Sequence, residues 1–234
     1  MSALLEALQA CVPLLPGPFV AEHRRLFAEE HLTKLAARLL EFHRHSVPTQ
    51  LPPPHFAAEC TPPLGEAFAP FCAPLEAWAA APDEPEVVRK LADAILAAGC
   101  ADLLLLLGQR RTPGSLTDAR AIPPLRAGLL ASAAALHNPA DGLTVAARAL
   151  TKHVHRSPGA FWGTVGGTVA DKNAAARAVL ERILDDQTWW NVFGHFQHEV
   201  DYEARVPSGH GARWAQGGAE FIGFLEPFLV EEGT

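Results

Sequence analysis

Residues 189–225 read WWNVFGHFQHEVDYEARVPSGHGARWAQGGAEFIGFL. Upstream of this stretch apolar residues recur every three to four positions. Here the period shortens to two, and turn residues punctuate it. Trp189 to Phe196, Asp201 to Val206, Gly211 to Ala215 and Glu220 to Leu225 are therefore expected as strands. Gly217-Gly218 suits a two-residue hairpin turn, because glycine accepts positive φ without steric cost. Asp201 to Val206 alternates cleanly, so one face should be wet and the other packed. Turns this short imply antiparallel pairing.

Working back from the sheet, helices dominate. Asp171 can cap a helix running to about Asp186, and Asp141 one from Leu143 to about Arg156. Residues 123–137 form a helix that is small or apolar almost all round. Residues 84–107 form another, with Asp83 as cap, Pro85 in the first turn and Gly99 as its end or interruption. Residues 21–46 carry Leu26, Leu32, Leu35, Leu39 and Phe42 at helical spacing, and the helix stops before Pro48. Between these two lie residues 47–82, with nine of the chain's 20 prolines. That density predicts no regular helix or central strand. Phe56, Phe68, Phe71, Leu75 and Trp78 argue for an ordered, irregular wrap over a core. A proline-rich ligand for an aromatic groove is the weaker alternative, since no basic-flanked PxxP repeat occurs. The expected fold class is α+β: a helical N-terminal half with a proline-rich wrap, then two helices and a small antiparallel sheet of about four strands. The expected division is a mainly helical region 1–137 and an α+β region 138–234, which could also form one continuous domain.

Composition narrows the function classes. The 234 residues carry a formal net charge of −7, which argues against general nucleic-acid binding. The four cysteines lie in the N-terminal half without a CxxC pair, which reads as buried free thiols in a reducing compartment. The N-terminal residues lack the basic start of a signal peptide, and no apolar run approaches the roughly 20 residues needed to span a bilayer. The expected location is cytoplasmic, away from membranes.

The residues that could carry chemistry concentrate in the last third. On the helix from Leu143, Arg148, Lys152, His155 and Arg156 fall opposite Leu143, Ala147, Leu150 and Val154. Residues 142–182 hold six basic and two acidic side chains, a local cationic stretch. It reads either as a solvated face or as a seat for phosphate or carboxylate. His153 and His155 sit about 160° apart on a helix, so they are not a metal pair. His195 and His198 do not converge if residue 195 is in a strand, although His198, Glu199 and Asp201 share the following turn. Gly163 to Thr168 resembles a phosphate cradle only superficially, because Lys172 comes too late for a P-loop. A turn centred on Gly209 would place Arg205 opposite Arg213, like charges that need compensation from Glu203, Glu220 or a bound anion.

Two functions are compatible with this pattern. One is an anion-binding module or small-molecule enzyme. In it Arg148, Lys152, Arg156, Arg205 and Arg213 would hold a phosphate- or carboxylate-bearing ligand, and His155, His198 or His210 would move protons. The other is a non-catalytic interaction or scaffold protein, with the proline-rich segment and the N-terminal helix meeting a protein partner. No metal is expected, and the sequence indicates no cofactor or oligomeric state.

Overall fold

A computed structural model describes residues 3–82, 84–156, 160–195 and 199–228, excluding the side chains of His155, Arg156, His195 and Glu199. The chain is α+β, with helices followed by a four-stranded antiparallel sheet. It divides into two units. The first is Met1–Leu51, Cys60–Arg111 and Leu116–Ile122; the second is Pro52–Glu59, Thr112–Ser115 and Pro123–Thr234.

The first unit is helical: α1 (Ala3–Cys11), α2 (Gly17–Glu22), α3 (Glu29–His45), α4 (Leu64–Phe68), α5 (Cys72–Ala80) and α6 (Pro85–Leu106). Helix α6 is the central member, and α1, α3, α4 and α5 pack on it; Leu4, Leu8, Leu39, Leu64 and Leu75 are among the residues these four helices bury. The helix expected over 21–46 is broken: a 3-10 turn, Arg24–Phe27, precedes α3. Buried His31 stabilises the break by donating from Nδ1 to the Arg25 carbonyl at 2.8 Å. Burial pushes the His31 pKa down. Part of the proline-rich stretch is helical after all. Pro63 precedes α4, Pro70 lies in a 3-10 turn and Pro74 sits in the first turn of α5. At the start of a helix the missing N–H costs no hydrogen bond. Gly99 interrupts α6 at φ 63°. The expected cap of α6, Asp83, lies outside the described residues. Of the four cysteines, Cys11 is buried and Cys60 and Cys72 are exposed, so only part of the set is shielded; burial raises the Cys11 thiol to about 12. Among the described residues no helix is long and apolar enough to cross a membrane.

The second unit holds α7 (Arg126–Ala133), α8 (Val145–Arg156), α9 (Val169–Asp185) and a meander of β1 (Trp189–His195), β2 (Glu199–Arg205), β3 (Gly211–Ala215) and β4 (Glu220–Leu225). Its helix α7 falls within the segment that the sequence places in the first region. Trp190, Val192, Tyr202, Ala204, Ala212 and Trp214 form one sheet face, against which α7, α8 and α9 pack. The Trp214 indole donates to the Leu129 carbonyl, and the Tyr202 hydroxyl bonds Gln187.

The opposite face carries Asn191, Asp201, Glu203 and Arg205, and it is buried rather than wet. Residues 52–59 and 112–115 lie over it. Phe56 meets Trp189 edge-on at 5.1 Å, the Thr188 hydroxyl donates to the Pro53 carbonyl, and Gly194 N–H donates to the Gly114 carbonyl. Alternation predicts two different faces but not what covers each.

Register also differs from expectation. Glu203, not Arg205, pairs with Arg213, and Arg205 pairs with Gly211. The β3–β4 connection is a 3-10 turn, Gln216–Gly218, rather than a two-residue turn. Gly211 is a steric requirement of the register: a Cβ there would lie 2.3 Å from the Ala204 carbonyl oxygen and 2.7 Å from Arg205 Cγ. Gly211→Ala must part β2 from β3, and is expected to cost roughly 1–3 kcal/mol in urea unfolding. An unchanged midpoint would show that the two strands do not approach this closely.

Candidate active site

One end of the sheet gathers the chemistry of the second unit. The chain turns at Pro207–His210 between β2 and β3, and leaves β4 at Glu226–Phe228. Two arrangements are built on these segments.

The first is a histidine–carboxylate cluster. Glu226 Oε1 lies 2.6 Å from His153 Nε2 on α8 and accepts the Trp162 indole N–H at 2.9 Å. Glu226 Oε2 lies 3.5 Å from His210 Nε2. One carboxylate therefore faces two imidazoles. His210 Nδ1 is 2.9 Å from the exposed Ser208 hydroxyl, and its ring stacks on Phe161 at 4.1 Å. Arg182, exposed on α9, donates to the Phe161 carbonyl and places its guanidinium 4.2 Å from that ring. Burial holds the His210 pKa below the ordinary histidine value of 6.5. The Glu226 carboxylate opposes that shift, while His153, Arg182 and Arg205 reinforce it. A neutral imidazole beside a carboxylate and a second imidazole is suited to general acid–base work.

The second is a cleft of about 880 Å³ over the polar sheet face, walled by Phe56, Trp189, Phe193 and Phe228, with Asn191 and Arg213 among its polar lining. Under this floor Glu203 Oε1 accepts Arg205 Nε at 2.5 Å, and Oε2 accepts Arg213 Nε and Nη2 at 2.9 and 2.6 Å. Arg205 Nη1 also donates to the carbonyls of Gly209 and Glu226, tying the floor to both segments of the histidine cluster.

The residues singled out from sequence are distributed as follows. His210 is in the cluster. Arg205 and Arg213 meet at Glu203. Arg148 is half-buried and Lys152 exposed on α8, and neither lines the cleft. The side chains of His155 and Arg156, and all of His198, lie outside the described residues. Helix α8 runs through Arg156, so the backbone at 153 and 155 stays helical. The glycine loop ends in a capping box, in which the Asp171 carboxylate accepts from Thr168 N–H and hydroxyl, so a carboxylate already sits where the loop meets the helix. Among the described residues no group of three or more His, Cys, Asp or Glu side chains is placed to hold a metal ion.

Sequence reasoning missed His153, Trp162 and Glu226. Glu226 lies 73 positions from His153 and 64 from Trp162, and no periodicity links them. The only legible signal was the concentration of His and Trp in one third of the chain.

Comparison with known proteins corrects the functional expectations. No curated protein and no solved structure matches the chain. A family model does, over residues 132–226: the CdiA C-terminal tRNase toxin domain. A likeness to a domain acting on tRNA overturns the small-molecule anion site and the scaffold protein as readings. It also overturns the expectation of no general nucleic-acid binding drawn from a net charge of −7, because charge summed over 234 residues says little about one surface. The segment bearing His153, Trp162, His210 and Glu226 is thus the segment that is similar to a tRNase toxin domain.

Proposed function

We propose that the second unit is a ribonuclease that cleaves tRNA, with His153 and His210 as its catalytic residues. The observation that carries this reading is the family match over 132–226, which contains both histidines and their shared carboxylate. RNA supplies its own nucleophile, the 2′-hydroxyl. His210, kept neutral by burial, takes the 2′-hydroxyl proton as Ser208 yields its place. The 2′-oxygen attacks the adjacent phosphorus, and the bond to the 5′-oxygen breaks. His153 delivers a proton to that leaving oxygen. The products are a 2′,3′-cyclic phosphate and a 5′-hydroxyl. Glu226 is a positioning residue that holds both rings, and Trp162 shields it. Arg182, an exposed cation whose charge reaches His210, receives the charge that develops on the phosphate oxygens.

The test is incubation of the purified chain with tRNA, followed by analysis of fragment ends. Fragments ending in 2′,3′-cyclic phosphate are expected. Intact tRNA, or fragments ending in 3′-hydroxyl, would overturn the reading.

A further inference from the structure

We infer that the cleft over the polar sheet face is a nucleobase pocket, and that it holds the base of the nucleotide whose 2′-hydroxyl is activated. This rests on the ribonuclease reading and adds a specificity site to it. The cleft volume, about 880 Å³, falls within the range of roughly 300–1,000 Å³ that small-ligand pockets occupy. Its walls are aromatic, as single-stranded RNA recognition requires, since unpaired bases stack on aromatic rings. Phe228 is exposed at 60%, a large ring with one face unclaimed by the core.

A second observation points to a ligand with a polar edge. Asn191 is 1% exposed and lines the cleft, yet its Oδ1 has no hydrogen-bond partner among the described residues; its Nδ2 reaches Thr112 Oγ1 at 3.3 Å. The indole N–H of Trp189, on the same sheet face, likewise has no partner among the described residues. Buried polar atoms are nearly always paired. A buried acceptor and a buried donor on one face of the cleft call for a ligand that offers both, as the edge of a nucleobase does. Position links this pocket to the chemistry. Ser208 lines the cleft, and its hydroxyl touches His210, so a base seated in the cleft directs its own ribose toward His210.

The test uses the full chain and the four nucleoside 3′-monophosphates, with binding read by calorimetry and cleavage by steady-state kinetics on RNA. Wild type should bind at least one of the four. Phe193→Ala and Phe228→Ala should weaken that binding about 5- to 150-fold, the loss of one base–aromatic stack, and should raise KM more than they lower kcat. Phe228 is exposed, so its variant folds even if the Phe193 variant does not. His210→Ala should still bind the mononucleotide. Binding by none of the four, or binding unaffected by Phe228→Ala, would overturn the pocket while leaving RNA cleavage to stand. Mononucleotide binding lost in the Phe variants, in a chain that cleaves no RNA, would keep the pocket and overturn the ribonuclease.

Discussion

Glu203→Ala is expected to cost roughly 3–5 kcal/mol of folding stability, the range for stripping one partner from a buried ion pair. A domain stable by about 5–15 kcal/mol barely survives such a loss. The Glu203 and Arg205 side chains are each 3% exposed, and Arg213 is 28% exposed. Removing the carboxylate leaves the Arg205 guanidinium buried, with the Gly209 and Glu226 carbonyls as its remaining hydrogen-bond partners among the described residues and the Phe56 and Phe228 rings beside it. Those carbonyls accept hydrogen bonds but carry no net charge. Arg213, at the surface, can turn to water; Arg205 cannot. The damage should therefore be relieved by a second substitution, Arg205→Met, which removes the uncompensated charge. Urea unfolding of wild type, single and double variants reads this directly. A single variant that loses less than about 1 kcal/mol would show that water reaches Arg205.

His210→Ala and His153→Ala should each slow tRNA cleavage by roughly 10²- to 10⁴-fold, the usual worth of a general acid or base, with little change in thermal midpoint. The pH profile separates the roles. As the base, His210 must be neutral, and burial lowers its pKa. Activity should then fall on the acid side only below about pH 6.5, the ordinary histidine value. Glu226 acts in the opposite direction, favouring protonated His210. Glu226→Gln should therefore move the acid limb to still lower pH, a change that loss of packing alone would not produce. An acid limb above pH 6.5, or one unmoved in Glu226→Gln, would remove His210 from the role of base.

The sequence by itself determined the element types of the last third, the helices α8 and α9 and the four strands. Turn residues flank Gly211–Ala215 and Glu220–Leu225 so sharply that β3 and β4 begin and end where the alternation does. Of the apolar stripe expected from Leu143 to Val154, Ala147 and Leu150 are buried and Leu143 and Val154 half-buried. These are local facts, and local patterning carries them. The break before α3 was not legible, because the His31 bond to the Arg25 carbonyl that steadies it lies outside any apolar period. Register and cover belonged to the tertiary structure alone. Alternation in β2 separates Asp201, Glu203 and Arg205 from Tyr202 and Ala204, but whether the charged face meets water depends on residues 52–59, about 150 positions upstream. Glu226 likewise becomes part of a site only when β4 delivers it to α8 and to the β2–β3 turn. A carboxylate acquires a role from what surrounds it, and those surroundings are assembled by the fold.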